Sequence, residues 1–257
     1  NLFALDTIQE EISLSKQFFF KDKDEETISI QFKEEILLKN VTFYFDDKSK
    51  NAVKDINLKI IPNSITYIIG PSGSGKSTLL DLILGLLFPK KGEISIDGIN
   101  LTNQNSSAWH KNIGYVGQSI FLIDDNLKNN VTFRDFKSFN EEKFNKAIEL
   151  SNVNDFLKDL PNGVDTIVGE RGLKLSGGQR QRIAIARALY QDKSILFFDE
   201  ATVSLDGISE NYIIEKLKML SKTKTIIIVT HNIKLLKDAS LIYLLSNGEI
   251  IKKGKFK

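Results

Sequence analysis

The stretch ITYIIGPSGSGKSTLLDLILGLL, Ile65–Leu87, decides the fold. Its first five residues read as a buried strand, and the apolar run from Lys76 onward reads as a helix. Between them, Gly70–Ser77 match the pattern G-x-x-x-x-G-K-[ST]. Glycines at these spacings let backbone N–H groups turn inward, and the helix N-terminus adds its dipole, so the loop is built to hold phosphate. Phosphate contacts are expected from Gly70, Pro71, Ser72, Gly73, Ser74, Gly75, Lys76, Ser77 and Thr78. In this pattern the ammonium of Lys76 reaches β- and γ-phosphates, and the Ser77 hydroxyl is placed for Mg²⁺. The plain alternative is a glycine-rich turn with a surface lysine; strand, loop and helix in register argue against it.

Outward from this unit the chain keeps alternating strand and helix. SILFFDE (Ser194–Glu200), TIIIVT and LIYLLSNGEII read as strands, the last a hairpin turning at Asn247–Gly248. GQRQRIAIARALY, SENYIIEKLKML and NIKLLKDA read as helices. The alternation predicts an α/β fold with a mostly parallel sheet, and the Gly70–Ser77 pattern resembles that of P-loop NTPases, which implies a core of RecA-like type. ILLKNVTFYF and DINLKI predict an N-terminal antiparallel β subdomain. EEKFNKAIELSN and VNDFLKDL, dividing at Val153, predict an inserted helical lobe within a subdomain of about 119–190. Residues 35–257 are thus expected to form one domain. Residues 1–34 read either as a helix end and solvated linker from a preceding, transmembrane, domain or as a floppy tail.

Asp199 and Glu200 end an apolar strand. A strand delivers such residues to the carboxyl edge of a parallel sheet, beside a phosphate loop. Asp199 then suits Mg²⁺, directly or through water, and Glu200 suits a general base for an attacking water. Asp-Glu after a strand is also a common helix N-cap; the upstream loop favours the chemical reading. Trp109 reads either as a reporter beside the nucleotide or, the preferred reading, as core.

Composition narrows the classes. The chain has 257 residues, a formal net charge of +2 and no cysteine. Near-neutral charge gives no support for nucleic acid as the main partner, and disulfides, zinc thiolates and thiol chemistry are excluded. No apolar run reaches the ~20 residues that span a bilayer; LLDLILGLLF carries Asp81 and is too short. The chain starts at Asn1 and its sole methionine is Met219, so it reads as a fragment.

LSGGQRQR, Leu175–Arg182, makes the reading specific. The chain resembles the ATP-binding domain of ABC transporters of exporter type, whose signature motif is similar to Ser176, Gly177, Gly178 and Gln179. The bland reading of the same residues is a helix N-cap with permissive glycines. The resemblance runs from Ile36 to the C-terminus. It implies ATP hydrolysis with Mg²⁺ (bound by Ser77, Gln118 and Asp199) and catalytic roles for Lys76, Gln118, Glu200 and His231. Gln118 of YVGQ is similar to the Q-loop glutamine, His231 of VTH to the switch histidine, and Asp206 of VSLD to the D-loop aspartate. VGERG, with Glu170, is similar to a segment that faces the membrane part of exporters. The adenine-stacking position falls on Phe45, where tyrosine is usual, with Tyr44 beside it; either ring could stack. Val203–Ser204 stand where Ser-Ala is common.

The resemblance further implies a head-to-tail, ATP-dependent dimer with a second such domain, the signature of one copy meeting the nucleotide of the other. It implies a transmembrane domain fused upstream and a place at the cytoplasmic face of a bacterial inner membrane. DLILGLL and IGYVGQSIFLIDDNLKNNV are similar to exporters that flip lipid-linked saccharides. The competing classes are an ABC-type ATPase of DNA repair, chromosome structure or translation, and an importer's ATPase subunit.

Overall fold

The computed structural model describes residues 30–45, 51–133, 139–169 and 173–255. The readings made for most of 1–34 and for Glu170 fall outside these residues. Among the described residues no helix is long and apolar enough to cross a membrane.

Strands β1 (Ile36–Phe43) and β2 (Val53–Ile60) pair antiparallel, as their alternation predicts. After β3 (Ile65–Ile69) and helix α1 (Lys76–Leu84) come β4 (Lys91–Ile96) and β5 (Ile99–Asn100). β4 pairs antiparallel with β1, giving a four-stranded sheet in the order β2-β1-β4-β5. β3, buried at all five positions, belongs to a second sheet. With β6 (Ile113–Val116), β9 (Ile195–Asp199), β10 (Thr225–Thr230), β11 (Leu241–Ser246) and β12 (Glu249–Gly254), its order is β12-β11-β3-β10-β9-β6. Every pairing in it is parallel except β11 with β12. The β11–β12 turn takes Asn247 and Gly248 at φ 49° and 79°, which suits a type I′ turn.

α1 lies between the sheets. Leu79, Leu80, Leu82, Ile83 and Leu84 share one core with β1, β2 and β4 on one side and Ile68, Phe197, Ile227 and Val229 on the other. An all-round apolar helix is what a position between two layers demands. The opposite face of the six-stranded sheet is covered by α6 (Gly177–Tyr190) and α7 (Gly207–Leu220). A third core joins α6 to the lobe formed by α3 (Leu127–Thr132), α4 (Glu141–Leu150) and α5 (Asn154–Leu157). α6 serves two cores at once: Ala184, Ile185 and Ala188 face the sheet, while Ile183, Ala186 and Tyr190 face the lobe.

Three local expectations are altered. NIKLLKDA is a 3-10 helix, Ile233–Asp238, because β11 starts only three residues later and leaves no room for a longer helix. The lobe contains α3, whose asparagine-rich sequence gives little helical signal, and a two-residue pairing of β7 (Asp125–Asn126) with β8 (Ile167–Val168). Ile30 and Phe32, on the linker side of the expected boundary at 34, are buried in the first core. Asn112 Nδ2 donates to the Ile30 carbonyl at 2.7 Å, and the Phe32 ring meets Trp109 edge-on at 6.3 Å.

Trp109, on α2 (Ser106–His110), is fully buried and its Nε1 donates to the Ile83 carbonyl at 2.9 Å. Trp109→Ala removes both the ring and that bond, and should cost about 3–5 kcal/mol in denaturant unfolding. Because this sole tryptophan sits away from the glycine loop, saturating ATP should leave its emission unchanged; a quench above the inner-filter correction would refute the core assignment.

Candidate nucleotide site

The parallel register places four strand ends side by side. Ile69 of β3 pairs with Thr230 of β10, Val229 pairs with Asp199 of β9, and Phe198 pairs with Val116 of β6. The residues that follow these ends are Gly70, His231, Glu200 and, two beyond β6, Gln118. Four segments distant in sequence therefore meet at one carboxyl edge.

At that edge the glycine loop wraps a cleft of about 290 Å³ lined by Ala52, Ser72, Gly73, Gly75, Lys76, Ser77, Thr78, Gln118 and Glu200. Gly75 has φ 98°, and a Cβ there would lie 2.4 Å from the Ala52 carbonyl oxygen. No side chain could fit. Gly75 is also the N-cap of α1 and supplies no side-chain acceptor, so the first N–H groups of α1 face the cleft without one. Buried Lys76 folds back along the loop, its Nζ donating to the carbonyls of Gly70 (2.9 Å) and Pro71 (3.0 Å). The loop is braced from behind by the C-terminal hairpin, where Gly248 N donates to Ser74 O at 3.0 Å.

Glu200 stands at the centre of the polar groups. Its Oε2 accepts from Gln118 Nε2 at 3.3 Å, and its Oε1 lies 3.3 Å from His231 Nδ1. Its backbone is left-handed, φ 50°, an uncommon state for a side chain of this size and one that clusters at functional sites. Glu200 N donates to Val229 O at 2.9 Å, which ties that conformation to the neighbouring strand.

Asp199 is held above the ordinary carboxylate range, first by burial and then by the charges of Glu200 and Asp81, with Lys76 opposing. Burial also raises Asp81. Tyr115 is pushed up to about 12 by burial and by the same two aspartates. Asp81 and Tyr115 were not foreseen as neighbours of the site; the signal for Asp81 was a lone acid inside an apolar helix. Among the described residues no group of three or more His, Cys, Asp or Glu side chains could hold a metal by itself. Ser77 and Gln118 nevertheless line the cleft, Asp199 directly precedes Glu200, and all three carry hard oxygen donors; the negative charge of Asp199, disfavoured by burial and by Glu200 and Asp81, is balanced only by Lys76. A set that short suits Mg²⁺, which completes its shell with phosphate and water; these residues fit the ion.

Other expected contacts lie elsewhere on the chain. Ser176 caps α6 in a reciprocal box, its Oγ accepting from Gln179 N (3.2 Å) while Gln179 Oε1 accepts from Ser176 N (2.8 Å). Among the described residues the Ser176 hydroxyl only accepts, which leaves its proton able to donate. A Cβ on Gly178 would lie 3.0 Å from Ser204 O, so signature and D-loop are in backbone contact. Asp206 caps α7: Oδ1 accepts from the N–H groups of Ile208 (3.1 Å) and Ser209 (2.9 Å), and Oδ2 from Ser209 Oγ (2.8 Å). These bonds, that to the Ser209 N–H first, hold its carboxyl below the usual range. None of Ser176, Gly177, Gly178, Gln179 or Asp206 lines the cleft around Lys76. Phe45 is 63% exposed with its ring edge-on to Phe43 at 5.1 Å, while Tyr44 lies under Lys90 Nζ at 5.9 Å.

Known proteins are similar to this chain in sequence and in fold. The sequence pattern of the family described as "ABC transporter" matches residues 53–203. An "ATP-dependent lipid A-core flippase" of Idiomarina loihiensis is 39% identical over 220 residues, covering 86% of this chain and 38% of that protein. A "Multidrug resistance ABC transporter ATP-binding and permease protein" of Lactococcus lactis is 38% identical, covering 84% of this chain and 37% of that one. The chain thus spans less than two fifths of the length of these relatives. A solved structure described as "a bacterial Atm1-family ABC exporter with ATP bound" superposes with a TM-score of 0.81 at 30% identity, over 96% of this chain and 44% of that one. With more than half of its length matched by the family pattern, this chain belongs to the ABC transporter family, as an ATP-binding and ATP-hydrolysing domain similar to those of flippases and exporters.

Proposed function

We propose that the chain hydrolyses ATP between two copies arranged head to tail and thereby powers export by a membrane domain of the same polypeptide. The observation that carries the site assignment is that Glu200, which lines the glycine-loop cleft with Gln118, is contacted by both Gln118 and His231. The loop N–H groups and Lys76 hold the phosphates, with Phe45, exposed beyond β1, against the base. Ser77, Asp199 and Gln118 would hold Mg²⁺, which when bound would offset phosphate charge. Glu200 accepts a proton from water as the water oxygen attacks the γ-phosphorus in line; the bond to the β–γ bridging oxygen breaks and its electrons leave with ADP. Gln118 and His231 fix the two carboxylate oxygens, and Lys76 balances charge on the transferred group.

The two-copy arrangement is supported by what one copy does with its signature. Ser176–Gly178 lie outside their own chain's cleft, on a helix N-terminus whose serine keeps a hydroxyl proton able to donate. Such a group suits a phosphate brought by another copy. The relatives' names, a lipid A-core flippase and a multidrug resistance transporter, favour export of a lipid or a drug; a place at the cytoplasmic face of a bacterial inner membrane is part of the same proposal.

Glu200→Gln should lower turnover by about 10²–10⁴-fold, the usual contribution of a general base. ATP binding should persist, and an ATP-bound dimer should accumulate on size-exclusion chromatography. Wild-type turnover would remove Glu200 from the base role. Lys76→Ala deletes a charged donor to phosphate, worth about 10–100-fold in affinity; equilibrium binding of a fluorescent ATP analogue unchanged from wild type would contradict the loop assignment.

A further inference from the structure

Asn130 is fully buried in α3 and spends its whole amide on one segment and one side chain. Its Nδ2 donates to Ile123 O (3.0 Å) and Asn126 O (3.1 Å), with a longer approach to Asp125 O. Its Oδ1 accepts from Ile123 N (3.0 Å) and from Arg187 Nη2 (3.4 Å). An amide oxygen has two lone pairs, so nothing is left over. Arg187 comes from the last turn of α6. Its Nε donates to Asn130 O (2.8 Å) and its Nη1 to Phe121 O (3.1 Å). One guanidinium thus grips both α3 and the strand of chain that follows Gln118 by three residues.

The other end of α6 carries Ser176–Gly178. A 14-residue α-helix is a rod of about 20 Å, stiff enough to carry a displacement from one end to the other. We infer that Asn130 and Arg187 form a joint that locks the segment after Gln118 to the signature helix, so that the position of Gln118 in a chain's own cleft sets where its signature meets the other copy's phosphate. These are positioning residues: neither lines the cleft around Lys76. The inference rests on the two-copy reading above.

The test uses the chain carrying Glu200→Gln, which should dimerise with ATP. Into it go Asn130→Ala, Arg187→Lys and both together. Lysine keeps the charge but loses the fork. Binding of a fluorescent ATP analogue to the monomer should stay within about twofold of the parent, as expected for sites without shared partners. ATP-driven dimerisation should weaken by about tenfold or more in each single variant, the scale of a lost hydrogen bond to a charged group. The double variant should be no worse than either single one. Variants that dimerise like the parent would overturn the joint. So would loss of nucleotide binding and of the unfolding transition in step with dimerisation, since the pair would then merely support the fold. A parent that fails to dimerise would instead bring down the two-copy reading, and the joint with it.

Discussion

The site depends on the register of parallel strands. β3, β10, β9 and β6 stop at the same level, so that a glycine loop, a histidine, a glutamate and a glutamine reach one edge without any of them being close in sequence. Parallel pairing needs long crossovers, and those here carry α1, α6 and α7, which cover the two faces of the sheet. The same connections that bury the sheet therefore keep its carboxyl ends open. The cost is concentrated at that edge: a left-handed Glu200, a glycine with no room for a methyl group, and aspartates whose charge is disfavoured by burial. A bound nucleotide with its cation would meet each of these, by hydrogen bonds, by backbone approach and by charge.

α6 is the second organising element. Its two apolar faces belong to different cores, one under the sheet and one in the lobe. The lobe consequently cannot shift against the sheet without working on this helix. Arg182 and Arg187 add lateral ties, Arg182 to Asn152 O and to Asp155 Oδ2, Arg187 to the segment after Gln118. The signature is thus the tip of a helix held along its length.

How much of this the sequence disclosed depends on range. The strand–loop–helix unit at Ile65–Leu84, the hairpin at Asn247–Gly248 and the break at Val153 were legible because each is set by neighbours a few residues away. Glu200, Gln118 and His231 could be named individually from the family resemblance, but their mutual contacts are a product of register and could not be read from spacing. Asp81 and Tyr115 escaped as neighbours of Asp199 because an isolated polar residue in an apolar run carries no partner information. The 3-10 helix at Ile233–Asp238 escaped because the start of β11, not local propensity, limits it. The Asn130–Arg187 joint left no trace in periodicity, since it links side chain to backbone across 57 positions.

The brace behind the glycine loop bears on how the protein is made. Ser74 O is satisfied by Gly248 N, and Gly248 O in turn accepts from Lys54 N at 2.7 Å. Loop, first hairpin and last hairpin close on one another. Ser74 is synthesised long before Gly248, so the bond between them can form only once the β11–β12 turn has been made. Until then the nascent chain holds its glycine loop without this brace. The β11–β12 turn thus fastens, late in synthesis, a loop that was made early.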